Sequence, residues 1–388
     1  MSGPAGRLLL LWLAGNSLRL TLLAIPPLIP AIHRSLPLNE KAVGALFGLP
    51  ILLLATTTVF GSLLISRLGA RRALALALVL VGAGGALRGL GPSLPMLFAM
   101  TLVMGVGVAI AQPSLPSLVA LWAPDRVGLA TAAFSNGFLV GETLPAALTV
   151  PFVVRLFGGS WEAALAFWSI PVLATAALVI ALTPHQARAA GVPPPRWWPD
   201  WRKATTWQLG LFLGGASAAY FGFNSFLPDY LRAVHRPESI TLSLTLLNLL
   251  QLPASLIIAA VPGAILGRRW PFIATGVLTA AAAVAFGALS GLSQAVAAGV
   301  VGFAAAFAFM LVLAMPPLMA EAGDVHRLTA GITTIQYATA FLAPLLAGAI
   351  WDATGQAASA WLLVVVAGLA MTLIPIPMRL GSVRRAVA

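Results

Sequence analysis

The chain has 388 residues, of which 60% are apolar and only 8% are charged, and its mean hydropathy is +0.97. These values exclude a soluble globular protein and indicate a chain that crosses a membrane many times. The net charge of +12 would suggest nucleic-acid binding in a soluble protein, but the basic residues are scattered over short loops without interleaved aromatic residues, so we expect no nucleic-acid partner.

Twelve apolar stretches follow one another along the chain, and each is long enough to cross about 30 Å of hydrocarbon as a helix. The predicted spans are residues 8–32, 40–66, 71–90, 93–121, 127–156, 161–183, 206–233, 240–266, 270–290, 293–321, 328–352 and 358–379. The sequence therefore predicts an all-α membrane protein with twelve transmembrane helices, surrounded by membrane lipid.

A long polar stretch separates the sixth and seventh predicted spans. Residues 185–205 contain three consecutive prolines and a tryptophan-rich run at residues 197–201, which is typical of a linker whose tryptophans lie at the membrane interface. We therefore expect an N-terminal six-helix bundle at residues 1–184, a cytoplasmic linker at residues 185–205 and a C-terminal six-helix bundle at residues 206–388.

The placement of the basic residues predicts the orientation. With the N-terminus inside, fifteen of the 22 lysines and arginines fall on the cytoplasmic side, as the positive-inside rule requires. We therefore expect both termini in the cytoplasm and the protein in the inner membrane of a bacterial cell.

The two halves of the chain resemble each other. Residues 28–34 (LIPAIHR) and 226–232 (FLPDYLR) match at an offset of 198 residues. Further matches at offsets near 200 are Pro50 with Pro253, Arg71-Arg72 with Arg268-Arg269, Pro145 with Pro344 and Trp161 with Trp361. These matches predict a duplicated six-helix unit, and transporters built from repeats bind substrate near the middle of the membrane.

Several motifs resemble those of a known family. Residues 61–72 (GSLLISRLGARR) are similar to the signature between spans 2 and 3 of the major facilitator superfamily, with Ser66 where that family usually has aspartate. Segments that resemble the cyanate and nitroimidazole permease group of this superfamily are Asn16-Ser17-Leu18-Arg19, Pro26-Pro27-Leu28-Ile29-Pro30, Gly85-Ala86-Leu87-Arg88, Ala111-Gln112-Pro113-Ser114-Leu115-Pro116 and Trp351-Asp352-Ala353-Thr354-Gly355. The resemblance covers nearly the whole chain and implies two bundles that expose a central site to each side of the membrane in turn.

Arg19 lies inside the first apolar span, with no acidic residue within twenty positions. A guanidinium stays charged at physiological pH and is costly at membrane depth, so we expect it to bind an anion or to pair with a distant carboxylate. Asn16 is three residues away on the same helix face, and both residues are therefore candidate substrate-binding residues.

Glu142 lies in the middle of the fifth predicted span. Because spans 1 and 5 are neighbours in the superfamily, the resemblance implies that Glu142 can pair with Arg19, and a substrate anion that competes with Glu142 is compatible with this pairing. Glu142 is the candidate proton-coupling residue, and a permanently ionised partner of Arg19 is the alternative. The matching positions in the second half are Ser217 and Phe341, so these charges are confined to one half.

Other polar residues in the apolar spans are further candidates. Ser217, Tyr220 and Asn224 follow helical spacing in span 7, and we predict that Tyr220 and Asn224 complete the substrate site from the second half. Gln112 in span 4 and Gln336 in span 11 are also predicted to line the site, with interhelical hydrogen bonds as the alternative.

Two arginines near the outer ends of predicted helices have a different expected role. We predict that Arg88 and Arg155 extend to the membrane interface, as long basic side chains near helix ends commonly do.

Sequence signatures of catalysis and of metal binding are absent. The sequence has no Gly-x-Ser-x-Gly elbow, no His-Glu-x-x-His pair and no phosphate-binding glycine loop. It has no cysteine, and its four histidines are dispersed near loops, so we expect neither a metal nor a cofactor.

These observations predict a secondary active transporter and not an enzyme. We expect a monomer that moves a small anionic or polar organic solute by alternating access, coupled to protons. The alternatives are a drug or xenobiotic efflux pump of the same fold and a uniporter or facilitator without proton coupling.

Overall fold

The computed structural model describes residues 3–36, 40–90, 93–182, 196–321, 323–378 and 380. Within these ranges the chain is helical and contains no β-strand. The α-helices are α1 (Pro4–Leu20), α2 (Ile29–Ser35), α3 (Glu40–Leu68), α4 (Ala70–Leu87), α5 (Leu94–Trp122), α6 (Val127–Leu148), α7 (Val154–Leu156), α8 (Trp161–Leu182), α9 (Ala204–Ala233), α10 (Ser239–Leu249), α11 (Leu252–Ala260), α12 (Pro262–Ile265), α13 (Trp270–Ala288), α14 (Gly291–Met319), α15 (Val325–Thr354) and α16 (Ser359–Leu373).

The helices follow the predicted spans, although the first and the eighth of these spans are each divided into shorter helices. In the described part of the chain, nine helical segments are long and apolar enough to cross a membrane. The three remaining predicted spans correspond to the interrupted pair α1 and α2, to α9, and to the shorter apolar helix α16. Helices suit this composition because lipid offers no partner for a backbone N–H or C=O group, so each segment must satisfy its own. The predicted all-α fold class is confirmed.

Contacts between helices divide the chain into two compact units. The first comprises Met1–Pro199 with Ala320–Ala330, and the second comprises Asp200–Met319 with Gly331–Ala388. In the first unit, α1 packs along α6, and α5 packs against α3 and α4. In the second unit, α13 packs against α14 and α16, and α10 packs against α14.

The first predicted span is two helices rather than one. Helix α1 ends at Leu20, and the chain passes through turns and a 3₁₀ turn at Pro26–Leu28 before α2 begins. Pro26 and Pro27 have no N–H, so they cannot donate to carbonyl groups four residues earlier, and a continuous helix is interrupted there. The interruption leaves Arg19 in the last turn of α1.

An aromatic cluster holds α9 in the second unit. Phe223 and Tyr230 on α9 contact Trp361 on α16, with ring centroids 4.5 Å and 5.1 Å apart. Phe286 on α13 joins them at 5.1 Å from both Phe223 and Trp361. Tyr220 is partly buried and packs against the larger apolar core of which these four rings are a part.

The prediction that Arg88 reaches the membrane interface is wrong, because its side chain is 0% exposed. Neighbouring glycines allow other helices to pack over it. A Cβ added to Gly85 would lie 2.6 Å from the Ser169 hydroxyl oxygen, and a Cβ added to Gly89 would lie 2.8 Å from the Glu162 Cα. Arg155, in contrast, is exposed.

Candidate functional site

Arg19 and Glu142 form an ion pair inside the first unit. The Arg19 Nη1 atom lies 3.4 Å from the Glu142 Oε1 atom, and the two side chains are 15% and 21% exposed. The other ion pairs among the described residues join positions three apart on one stretch of chain, so this pair alone connects two separate helices there. The expected pairing of the two charges is therefore present.

The geometry of this ion pair is loose. Charge-assisted hydrogen bonds between a guanidinium and a carboxylate are usually about 2.7–2.9 Å long, whereas the Arg19–Glu142 contact is 3.4 Å. In this partly buried place the pair compensates the charge of each partner.

Phe138 also contacts the guanidinium of Arg19. The Arg19 Cζ atom lies 5.7 Å from the centroid of the Phe138 ring, which is within the range of a cation–π interaction. Phe138 and Glu142 are four residues apart on α6, so both side chains lie on one face of that helix. Phe138 is not among the site residues predicted from the sequence, although its spacing of four residues from Glu142 is a signal that identifies it.

Three glycines let α1 and α6 approach each other closely. A Cβ added to Gly15 would lie 2.1 Å from the Phe134 carbonyl oxygen, and a Cβ added to Gly137 would lie 2.3 Å from the Trp12 carbonyl oxygen. The third is Gly141, next to Glu142 in the sequence, where an added Cβ would lie 2.3 Å from the Asn16 carbonyl oxygen.

This close approach is what brings the ion pair together. Gly137 and Gly141 form a small-x-x-x-small pattern. Two such small residues lie on one face of a helix and let the backbones of two transmembrane helices come into direct contact. These two glycines are not among the residues predicted from the sequence, although their spacing is visible there. The indole of Trp12 adds a hydrogen bond across the same two helices, at 3.0 Å to the Asn136 side-chain oxygen.

Asn16 supplies a polar group beside Arg19. Its side chain is 6% exposed, and among the described residues its Nδ2 atom has no hydrogen-bond partner. A buried amide donor without a partner is costly, so a water molecule or a ligand is expected to accept from it. Asn16 and Arg19 thus place an amide donor and a guanidinium three residues apart on α1.

Ser217, the counterpart of Arg19 in the second half, is paired with Gln336. The Gln336 Nε2 atom donates to the Ser217 hydroxyl oxygen at 3.0 Å, and both side chains are buried. An uncharged hydrogen bond therefore occupies the repeat position at which the first half has a charge. Gln112, the other predicted glutamine, lies buried on α5 in the first unit.

Tyr220 and Asn224 have separate hydrogen-bond partners in the second unit. The Tyr220 hydroxyl donates to the Asn248 side-chain oxygen at 2.7 Å, and Gln251 donates to the same oxygen at 3.3 Å. The Asn224 amide nitrogen donates to the Tyr220 carbonyl oxygen of its own helix at 3.0 Å. Tyr220 thus joins α9 to α10, whereas this bond of Asn224 stays within α9.

A sequence model described as the Major Facilitator Superfamily matches residues 11–236, which is more than half of the chain.

Three relatives have similar sequences. A protein of Bacillus subtilis described as the uncharacterized transporter YycB is 24% identical over 348 residues, which are 87% of this chain and 84% of that protein. The cyanate transport protein CynX of Escherichia coli is 27% identical over 226 residues, 58% of each chain. The 2-nitroimidazole transporter of Escherichia coli is 30% identical over 226 residues, 56% of this chain and 55% of that protein.

Two solved structures have a similar fold. The proton:xylose symporter XylE matches with a TM-score of 0.72 at 14% identity, over 95% of this chain and 94% of that chain. The human organic anion transporter MFSD10 matches with a TM-score of 0.68 at 18% identity, over 96% of this chain and all of that chain. At such low identities, these matches establish the fold.

Proposed function

The chain belongs to the major facilitator superfamily and is an integral membrane transporter, and we propose that it moves a small anionic or polar organic solute by alternating access, coupled to protons. The single observation that carries this proposal is the loose ion pair of Arg19 and Glu142 between α1 and α6. Two relatives whose names state a substrate transport cyanate and 2-nitroimidazole, which are small polar molecules, one of them an anion.

The proposed anion site is built around Arg19. Its guanidinium has five N–H donors, of which a carboxylate or a similar planar anion can accept two at once. The unpartnered amide of Asn16 lies three residues away, and a bound anion would accept a further hydrogen bond from it. A bound substrate would therefore take the place of Glu142 at the Arg19 guanidinium, and it would supply the acceptor that the Asn16 amide lacks.

The same competition supports proton coupling. When an anion takes the guanidinium of Arg19, Glu142 loses its counter-ion inside an apolar helix bundle, where an uncompensated carboxylate is costly. Proton uptake by Glu142 removes that cost, so anion and proton would load together. When the anion leaves, Arg19 again pairs with Glu142 and the proton is released.

We further propose that Tyr220, Asn224, Gln112 and Gln336 complete the substrate site. Tyr220 is the strongest of these candidates, because its hydroxyl shares the Asn248 oxygen with Gln251 and can exchange that acceptor for a substrate at little cost. Gln336 already has a buried partner in Ser217, so its contribution requires that hydrogen bond to open.

The proposed membrane topology is the one predicted from the sequence. We propose six-helix bundles at residues 1–184 and 206–388, joined by a cytoplasmic linker at residues 185–205. The bias of the basic residues supports cytoplasmic termini in a bacterial inner membrane. We propose that the transporter works as a monomer.

Ligand-dependent thermal unfolding of the purified protein tests the site. We would compare wild type, Arg19→Ala and Arg19→Lys with cyanate, small carboxylates and 2-nitroimidazole, using Arg155→Ala as the control because Arg155 is an exposed arginine of the same unit. A true ligand at 100 times its Kd adds about 2.7 kcal/mol to the stability of wild type and of the control.

The variants separate the outcomes. We expect no stabilisation of Arg19→Ala and an intermediate response from Arg19→Lys, which keeps the charge but loses the fork of donors. Equal stabilisation of wild type and Arg19→Ala by the best ligand would show that Arg19 lies outside the site. Stabilisation by bulky neutral drugs alone would instead indicate an efflux pump, and uptake that withstands a protonophore would indicate a facilitator.

A further inference from the structure

Arg88 is a fully buried arginine, and within the described ranges of the chain it has no carboxylate partner. Its side chain is 0% exposed, and none of the ion pairs among the described residues includes it. One nitrogen, Nη2, donates to the Thr21 carbonyl oxygen, while Nε and Nη1 have no partner in the part of the chain that the structure describes. A buried cation of this kind is costly and requires a compensating interaction.

The interruption of the first span supplies that compensation. Thr21 is the C-cap residue of α1, and the last carbonyl groups of a helix have no intrahelical donor and carry a partial negative charge. A helical Ile25 N–H would donate to the Thr21 carbonyl, but Ile25 precedes Pro26, and a helix usually ends at or before the residue that precedes a proline. The guanidinium of Arg88 thus serves as donor and as counter-charge at the end of α1.

Neighbouring helices pack closely around Thr21, so this residue has little room to move. A Cβ added to Gly85, one turn before Arg88 on α4, would lie 2.8 Å from the Thr21 Cγ2 atom and 2.6 Å from the Ser169 hydroxyl oxygen. The Thr21 hydroxyl also contacts the Met104 sulfur on α5 at 3.5 Å. Side chains of α4, α5 and α8 therefore surround the point at which α1 ends.

The position of Thr21 sets the position of the anion-binding groups. Arg19 precedes Thr21 by two residues and Asn16 precedes it by five, and all three belong to one helix and its cap. A displacement of the helix end therefore displaces the guanidinium of Arg19 relative to Glu142. Small displacements of binding groups have large effects on rates and affinities.

We propose that Arg88 is a positioning residue of the anion site, which holds the interrupted end of α1 through the Thr21 carbonyl and thereby sets the place of Arg19. Arg88 does not touch the substrate in this arrangement. The inference rests on the proposed anion site, because it assigns Arg88 to the alignment of Arg19.

Transport kinetics in proteoliposomes test this role, with the best ligand of the thermal unfolding screen as substrate. Arg88→Met removes the charge and the donors at similar length, Arg88→Lys keeps the charge and one donor group, and Arg155→Met is the matched control. We expect Arg88→Met to raise KM by about tenfold or more, because the displaced Arg19 binds the anion less well; a misplacement of about 1 Å can cost about a hundredfold in rate. Arg88→Lys should recover part of that loss, and the control should keep the wild-type KM.

Three results are decisive. If Arg88→Met unfolds at a lower temperature but keeps the wild-type KM, Arg88 is only structural and the inference is wrong. If Arg88→Met yields no folded protein, Arg88→Lys and Gly85→Ala decide, because the second pushes on Thr21 while Arg88 is retained; an unchanged KM in both would overturn the inference. If ligand binding is also unaffected by Arg19→Ala, the anion site itself is wrong, which distinguishes failure of the proposed function from failure of the positioning role.

Discussion

Gly141 on α6 faces the backbone of Asn16 on α1 so closely that a Cβ on the glycine would stand 2.3 Å from the Asn16 carbonyl oxygen. Real Cβ atoms do not approach an oxygen at that distance, so only glycine fits this contact without a shift of the helices. The next residue is Glu142, whose carboxylate lies 3.4 Å from the Arg19 guanidinium. The contact between two backbones thus determines whether two charges far apart in sequence can meet.

Gly141→Ala should separate α1 from α6. We expect a loss of about 1–3 kcal/mol in the free energy of unfolding, the usual cost of overpacking a well-packed interior, together with weaker substrate binding because Arg19 and Glu142 move apart. Thermal unfolding and transport in proteoliposomes measure the two effects. Gly48→Ala is the control, since an added Cβ there meets nothing within 4 Å; similar behaviour of the two variants would contradict the assigned contact.

Glu142→Gln should uncouple transport from protons. Wild-type uptake is expected to rise as the pH on the uptake side falls, because protonation of Glu142 accompanies loading of the anion. The variant cannot exchange a proton at this position, so its uptake should be independent of pH while exchange of labelled for unlabelled substrate continues. Glu162→Gln is the control, because Glu162 accepts a hydrogen bond from Ser160 in a loop. A wild-type pH profile in Glu142→Gln would exclude the proton role.

Phe138→Leu should weaken the hold on the Arg19 side chain. The ring lies 5.7 Å from the guanidinium, and a partly desolvated cation–π contact contributes about 0.5–2 kcal/mol. A double-mutant cycle with Arg19→Met isolates this coupling from the loss of apolar packing. We expect Phe138→Leu to cost less stability in the Arg19→Met background than in wild type, and equal costs would mean that the ring and the guanidinium do not interact.

The hydrogen bond between Gln336 and Ser217 should also show coupling. The donor–acceptor distance is 3.0 Å and both side chains are buried, and interhelical hydrogen bonds in membrane proteins average about 0.6 kcal/mol. Unfolding of Gln336→Ala, Ser217→Ala and the double variant should give a coupling of that size. Strictly additive losses would indicate that the two side chains do not share a hydrogen bond in the membrane.

Hydropathy and residue types determined much of this protein before any contact was known. The spans, the all-α fold class and the membrane location follow from segment composition, because the cost of placing a chain in lipid is a sum over each segment. Arg19 and Glu142 are predicted as site residues on similar grounds. A charge inside an apolar span is costly, so a charged residue there indicates a functional site.

The tertiary structure decided which side chains meet. Arg88 has the type and position of a residue that reaches the interface, yet it is 0% exposed, because α4, α5 and α8 close around the interrupted end of α1. Phe138 and Gly141 resemble ordinary packing residues in the sequence, and their roles depend on which face of α6 is turned toward α1. Hydropathy does not determine how α6 is rotated about its own axis. Close packing against α1, which lies more than a hundred residues away in the sequence, determines it.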